Sequence, residues 1–190
     1  WYWAWESQLE PYFPDHFMKY VNDTTKEARL LTPNAKFLTA PYGTRHATND
    51  ATFVRQLEKL DVDIVAYQDT VGCYAMGIEQ SARSFEILRK VHDQVPQRAL
   101  WADVETFTWE GKDNVAETPL IPAEFSRLEA QLAAVSPYVD NILVFIFEGL
   151  FSKPDSPTYT GYDKAGQYYT EYVNWLKKNH PGVIRDFGSL

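Results

Sequence analysis

Two carboxylates in a short apolar stretch are the residues of this chain whose type and spacing best suit chemistry. Asp103 and Glu105 stand two residues apart at the end of the apolar run 99–102, which we predict to be a buried strand. Residues two apart in an extended chain point to the same side, and carboxylates at a buried strand end cost desolvation free energy. The spacing therefore indicates a site for acid–base chemistry or for binding hydroxyl groups. The alternative is an ordinary strand end with two solvated acids.

Aromatic residues share this neighbourhood, because Phe107 and Trp109 follow the acids directly. The whole chain is 15% aromatic, with 6 Trp and 12 Tyr among its 190 residues. Rings cover the apolar faces of pyranoses while acids bind hydroxyls, so this mixture favours a carbohydrate partner; the alternative is that the rings fill a large core. The net charge of -8 argues against nucleic acid as the main partner.

Strand and helix patterns alternate about five times along the chain. Apolar runs that predict strands lie at 1–5, 36–40, 63–67, 99–102 and 141–146, and a helical pattern follows each of them. Near-continuous apolar strands are typical of parallel sheets, and strict alternation indicates an α/β fold. We predict one α/β domain over residues 1–190 with a partial, (β/α) TIM-barrel-like architecture. The alternative is an open, doubly wound parallel sheet.

Helix starts are predicted from capping residues and from one proline. Asp15 is the expected N-cap of the first helix, and Thr48 or Asn49 that of the second. Pro122 is expected at the first position of a later helix, where its missing N–H costs nothing.

Polar and aromatic side chains cluster where the predicted strands end. The candidate site residues there are Glu6, Tyr42, His46, Gln68, Asp69, Asp103, Glu105, Trp109 and Glu148. Active sites of barrels and of open α/β sheets lie at this edge. Each residue also has a structural alternative: Glu6 pairs with an arginine, Tyr42 and Trp109 belong to the core or rim, and Glu148 is a solvated loop acid.

Other classes of site have weak support in the sequence. The chain has no Gly-x-Gly-x-x-Gly and no Walker lysine motif, so we predict no nucleotide cofactor. No two histidines have metal-ligand spacing, and three acids (Asp69, Asp103 and Glu105) are a weak signal for a hard cation. Cys73 is the single cysteine and is expected to be a small buried hydrophobe. The sequence has no apolar run long enough to span a membrane. It leaves localisation open, and a glycosidase would be expected to be secreted or periplasmic.

Four motifs, taken together, resemble the DUF4434-type, glycoside-hydrolase-like TIM barrels, a family of bacterial proteins. They are Trp1-Tyr2 with Glu6, Ala40-Pro41-Tyr42, Gln68-Asp69-Thr70-Val71-Gly72, and Trp101 to Phe107. The family usually has Asn at the position of Asp103, so this chain adds a negative charge beside Glu105. The resemblance implies that the visible strands are barrel strands four to eight, with Glu6 after strand four and Glu105 at the end of strand seven.

The same resemblance implies a chemistry for these two residues. Many retaining glycosidases on this barrel place the acid/base and the nucleophile at those two strand ends. A gap of about 5–5.5 Å between the carboxyl groups gives retention, and about 6.5–9.5 Å gives inversion. We predict a glycoside hydrolase with Glu6 and Glu105 as the catalytic pair, retention being favoured, and with the other candidates binding substrate. The alternatives are a non-catalytic carbohydrate-binding barrel and a metal-assisted hydrolase.

The number of strands raises a separate expectation. A closed barrel uses eight strands, whereas about five are visible in this sequence. We expect the chain to be the C-terminal part of a barrel whose first strands lie elsewhere. The alternatives are a homo-oligomer that pairs the two open edges and an open sheet whose edges are covered by loops.

Overall fold

Parallel strands and helices alternate along the chain, as predicted. The computed structural model describes residues 1–3, 5–111, 118–147, 150–157 and 162–181. The strands are β1 (Tyr2–Trp3), β2 (Leu38–Thr39), β3 (Ile64–Gln68), β4 (Ala99–Glu105), β5 (Phe107–Trp109), β6 (Leu120–Pro122) and β7 (Asn141–Phe145). The helices are α1 (Asp15–Leu31), α2 (Ala51–Lys59), α3 (Ile78–His92), α4 (Phe125–Val135) and α5 (Ala165–Asn179), with one 3₁₀ turn at Thr44–His46.

Five strands form one parallel sheet in the order β1-β2-β3-β4-β7, and β5 with β6 forms a separate antiparallel hairpin. The parallel strands therefore lie side by side in the order in which the chain makes them. A doubly wound sheet reverses its strand order at a switch point, and this sheet has no reversal. The alternative of an open doubly wound sheet is wrong.

The hydrophobic core lies on one face of this sheet. Alternate strand residues, among them Tyr67, Leu100 and Val104, belong to the same buried cluster as residues from all five helices. The helical members of that cluster are Phe17, Val21 and Ala28 from α1, Phe53 and Leu57 from α2, Phe85, Leu88 and Val91 from α3, Leu128, Leu132 and Val135 from α4, and Tyr168 from α5. Helices on a single face of a parallel sheet are the arrangement of a (β/α) barrel, so the fold is a partial, barrel-like α/β fold.

The opposite face of the sheet carries the other set of alternate residues, which we call the inner face. Parallel register places Gln68 beside Asp103 and Glu105 beside Phe145 on this face. Phe145 on this face is 45% exposed. The inner face is thus the surface that a closed barrel would enclose, and the two acids of β4 lie on it.

The predicted helix starts are corrected at three places. Asp15 is the first residue of α1, because the N-cap position belongs to Pro14. Asp50, and not Thr48 or Asn49, caps α2, since its side chain accepts the N–H groups of Thr52 and Phe53. Pro122 pairs with Phe107 in the hairpin rather than opening a helix, and α4 begins at Phe125.

One buried polar pair holds α3 against β3. His92 has no exposed surface, and its ring lies between the Tyr67 hydroxyl at 3.2 Å from Nε2 and the Arg98 carbonyl oxygen at 2.9 Å from Nδ1. A carbonyl oxygen only accepts, so Nδ1 donates to Arg98 and Nε2 accepts from the Tyr67 hydroxyl. Burial lowers the pKa of His92 to about 4, which keeps the ring neutral.

No described helix is long and apolar enough to cross a membrane.

We expect His92 to make the fold sensitive to acid. Its pKa is lower in the folded chain than in the unfolded chain, so the unfolded chain binds more protons as the pH falls below about 6.5. The stability advantage of the wild type over His92→Gln should therefore shrink by about 3 kcal/mol between pH 7 and pH 4. Urea unfolding of both proteins at the two pH values measures this, and an unchanged advantage would contradict it.

The two outer strands of the sheet lead to a prediction about association. Among the described residues, β1 and β7 each pair with a single neighbour, so each presents an open row of backbone groups. We propose that strands of a second copy cover these edges. The 190-residue chain alone should then self-associate in light scattering over a concentration series, and Phe145→Lys should reduce this association. A monomer at every concentration would contradict it.

Candidate active site

The centre of the site is the end of β4. Asp103 and Glu105 lie on the inner face with side chains that are 8% and 4% exposed. Asp103 pairs in register with Gln68 at the end of β3. Strand spacing puts the two acids about 6.6 Å apart along β4. The structure therefore brings together the two acids that the sequence singled out, and it keeps both almost completely out of water.

Glu105 is held by the loop that follows β3. Its Oε2 accepts the Cys73 N–H at 2.8 Å, and the Gly72 N–H also stabilises the charged form. The loop approaches so closely that a Cβ at Gly72 would lie 3.0 Å from Oε2 and 2.6 Å from the Phe107 carbonyl oxygen. Glycine is required at that position because a larger residue would push Glu105 out of place.

Asp69 ties this loop to β4 and α4. Its Oδ1 accepts the N–H groups of Glu105 at 3.1 Å and Val71 at 3.4 Å, and its Oδ2 accepts Gln131 Nε2 at 2.6 Å. The sequence predicted that Asp69 binds substrate hydroxyls or orients a neighbour, and its side chain has no exposed surface. Protein donors bind both of its oxygens, so we assign Asp69 to positioning Glu105.

Two polar residues of α4 complete the support, and the sequence analysis did not find them. Arg127 donates to the carbonyl oxygens of Glu105 at 2.9 Å and Phe107 at 2.6 Å. Gln131 accepts from Arg127 and donates to Asp69 and to the Glu105 carbonyl oxygen. Their i, i+4 spacing is visible in the sequence, but only the fold shows that this polar pair faces the site.

Burial dominates the electrostatics of the three acids. It raises the pKa of Asp69 to about 6, and that of Asp103 and Glu105 to about 7 each. The charge of Asp69 raises the pKa of Asp103 and Glu105 further, and Glu6 adds to the effect at Asp103. Glu105 has backbone donors for its anion, whereas no described group donates a hydrogen bond to the Asp103 carboxyl. The two acids therefore differ in what favours ionisation.

Glu6 lies in the chain just beyond β1 and is exposed to solvent. Strands β1 and β4 are three places apart in the sheet, which is about 14 Å in a flat sheet. Glu6 nevertheless contributes to the raised pKa of Asp103. Burial is the main cause of the raised pKa of Tyr2, and the charges of Glu6 and Asp103 raise it further. The charge of Glu6 therefore reaches Asp103 although β1 and β4 are not neighbouring strands.

The remaining predicted residues differ in their surroundings. Gln68 donates to the Ala40 carbonyl oxygen at 3.3 Å, and Tyr42 is 38% exposed in a bridge with Gln8. His46 ends the 3₁₀ turn, and its buried Nε2 has no described partner. Trp109 lies in β5 with its ring edge-on to Phe107. Glu148 lies outside the described residues.

Metal and thiol chemistry have little support in the described part of the chain. It contains no group of three or more His, Cys, Asp or Glu side chains that could hold a metal ion. Burial raises the pKa of the Cys73 thiol to about 11, and the nearby charge of Glu105 adds to this. A thiol with so high a pKa is a poor nucleophile at neutral pH.

The chain is similar to known proteins in sequence and in fold. A family model described as a domain of unknown function (DUF4434) matches residues 1–158. A thermostable mutant of a xylanase (Xyn10A) from Cellvibrio japonicus matches with 14% sequence identity, a TM-score of 0.45 and coverage of 82% of this chain. The chain spans about half of that structure, 54% of its length. No curated protein matches the sequence.

We expect the burial of Asp103 to destabilise the fold at neutral pH. Its pKa is higher in the folded chain than in the unfolded chain, so the cost appears above about pH 4 and is complete above about pH 7. The free energy of unfolding of Asp103→Asn should exceed that of the wild type by about 2–4 kcal/mol at pH 8. At pH 4 this gain should be absent. Denaturant unfolding measures both, with Glu58→Gln, an exposed acid, as the control. An equal effect at the two pH values would refute the assignment.

Proposed function

This chain belongs to the DUF4434 family, and we propose that it hydrolyses glycosidic bonds with Glu6 and Glu105 as its carboxylate pair. The family match confirms the resemblance carried by the strand-end motifs. The observation that supports the proposal is the pair of buried acids, Asp103 and Glu105, on the inner face at the carboxyl end of β4. Active sites of barrel enzymes lie at this edge.

Glu105 is suited to act as the anionic partner. Two backbone N–H groups favour its charged form, while Asp69 and burial raise its pKa to about 7. The carboxylate is held in one orientation by the Cys73 N–H at 2.8 Å. In a retaining mechanism it would attack the anomeric carbon and form a glycosyl ester, and the leaving oxygen would take a proton.

Glu6 is the proposed source of that proton. It lies beyond β1, three strand positions away from Glu105, and is open to solvent. It would protonate the leaving oxygen and then, as a carboxylate, remove a proton from the water that hydrolyses the ester. Asp103 lies near Glu6 and has a pKa of about 7. It is therefore partly protonated at neutral pH. As a result, the acids of the site do not all carry a full negative charge at once.

One observation favours a second function, non-catalytic binding of a carbohydrate on the same face. Glu105 is only 4% exposed, and the loop after β3 covers one of its oxygens. A nucleophile must reach the anomeric carbon, whereas a residue that only shapes a binding surface need not. This alternative predicts saccharide binding without release of product.

Glu105→Gln should separate the two functions. The amide keeps the size of the side chain but removes its charge, so turnover of aryl glycosides should fall by at least about 10³-fold if Glu105 is the nucleophile. Saccharide affinity should stay close to that of the wild type. The rates of both proteins on a panel of aryl glycosides measure this, with Glu58→Gln as the control.

Two results would count against the hydrolase. Undiminished turnover by Glu105→Gln would remove Glu105 from the chemistry. Saccharide binding by the wild type with no detectable hydrolysis of any substrate would instead support the binding protein. For an active wild type, the anomer released first, followed by proton NMR, distinguishes retention from inversion.

A further inference from the structure

The loop 70–76, which follows β3, holds two residues in an unfavourable backbone conformation. Thr70 has φ of 50° and Tyr74 has φ of 59°. This left-handed region is unfavourable for an ordinary L-residue. Tyr74 is also 47% exposed, so burial of its ring does not account for the cost. A strained and exposed tyrosine beside the acids needs another explanation.

Three backbone hydrogen bonds fix the shape of this loop. The Tyr74 N–H donates to the Val71 carbonyl oxygen at 3.1 Å, and the N–H groups of Ala75 and Met76 donate to the Thr70 carbonyl oxygen at 3.0 and 3.1 Å. The Tyr74 hydroxyl is also hydrogen-bonded to the Thr108 hydroxyl in β5. The loop after β3 is thus joined to the hairpin after β4, and the Tyr74 ring is held at both of its ends.

The residue before this ring in the loop contacts Glu105. Cys73, the residue before Tyr74, donates its N–H to Glu105 Oε2 at 2.8 Å. Tyr74 also acts electrostatically on Arg127, which donates to the Glu105 carbonyl oxygen. The anchor of the carboxylate and the exposed ring are therefore consecutive residues of one rigid loop.

We propose that Tyr74 is the aromatic platform on which a pyranose ring of the substrate rests beside Glu105. This inference rests on the proposed carbohydrate function and names a contact residue for it. A sugar presents a face of C–H groups that packs on an aromatic ring, and a ring that is already fixed loses little conformational entropy on binding. The hydroxyl bond to Thr108 then fixes the far end of the ring, and Tyr74 remains 47% exposed.

The competing explanation is that Tyr74 only clamps the two loops together through its hydroxyl. Three substitutions separate a platform from a clamp. Tyr74→Phe keeps the ring and loses the clamp, Thr108→Val loses the clamp from the other side, and Tyr74→Leu loses the ring. A platform requires Tyr74→Leu to be impaired while the other two are close to the wild type; a clamp requires all three to be impaired alike.

The experiment measures binding and turnover separately. Affinities for cellohexaose, xylohexaose and chitohexaose are determined by calorimetry for the wild type and the three variants, and kcat and KM are determined on any hexaose that is cleaved. For the saccharide that the wild type binds, Tyr74→Leu should weaken affinity about 5- to 10-fold, as loss of an aromatic contact does. It should raise KM by a similar factor with kcat nearly unchanged. Tyr74→Phe and Thr108→Val should change affinity less than about 2-fold.

Every outcome bears on the inference. Equal loss in all three variants, or no loss in Tyr74→Leu, would overturn the platform even if the wild type is an active hydrolase. Binding without hydrolysis, with the predicted loss in Tyr74→Leu, would support the platform while removing the hydrolase. Absence of binding to all three hexaoses would overturn it. Circular dichroism confirms folding, and Tyr74→Met replaces Tyr74→Leu if that variant fails to fold.

Discussion

The hydrogen bonds of Asp69 are the interaction on which the rest of the site depends. This one carboxylate, buried completely, accepts from the backbone of its own loop, from the backbone of β4 and from the side chain of Gln131 on α4. It therefore fixes three elements relative to one another where two strands end. The loop that it fixes carries the N–H of Cys73 to Glu105. Removal of Asp69 would loosen the loop that holds the Glu105 carboxylate, although Asp69 itself has no exposed surface.

The positions of Asp103 and Glu105 could be predicted because they depend on local geometry. Alternation along a strand puts both acids on one face whatever the fold becomes. The alternation of strands and helices predicted the α/β class for a similar reason. The sequence could not decide between a barrel and a doubly wound sheet, since that depends on which face each helix covers. The core, which draws on every helix from one side, and the strand order decided it.

The sequence failed where a residue's role depends on distant partners. Gln131 resembles an ordinary helical residue until its amide is seen at 2.6 Å from Asp69, which is 62 positions away. Proline is common at the first position of a helix, yet Pro122 pairs with Phe107 in the hairpin. Tyr74 gave no signal, because a left-handed backbone at a tyrosine cannot be read from residue type. These features arise from tertiary contacts that local patterns do not contain.

The electrostatics and the architecture of the site support each other. Three carboxyl groups with raised pKa values in one small region make the folded state less stable at neutral pH. A sheet needs no such group for its own stability, since apolar residues would fill these positions at lower cost. Asp103 and Glu105 stand on the inner face, opposite the face on which the helices build the core, whereas Asp69 lies on the helix side and bonds to Gln131 of α4. The two inner-face acids therefore do not interrupt the core, and Asp69 connects the core side of the sheet to the backbone of Glu105.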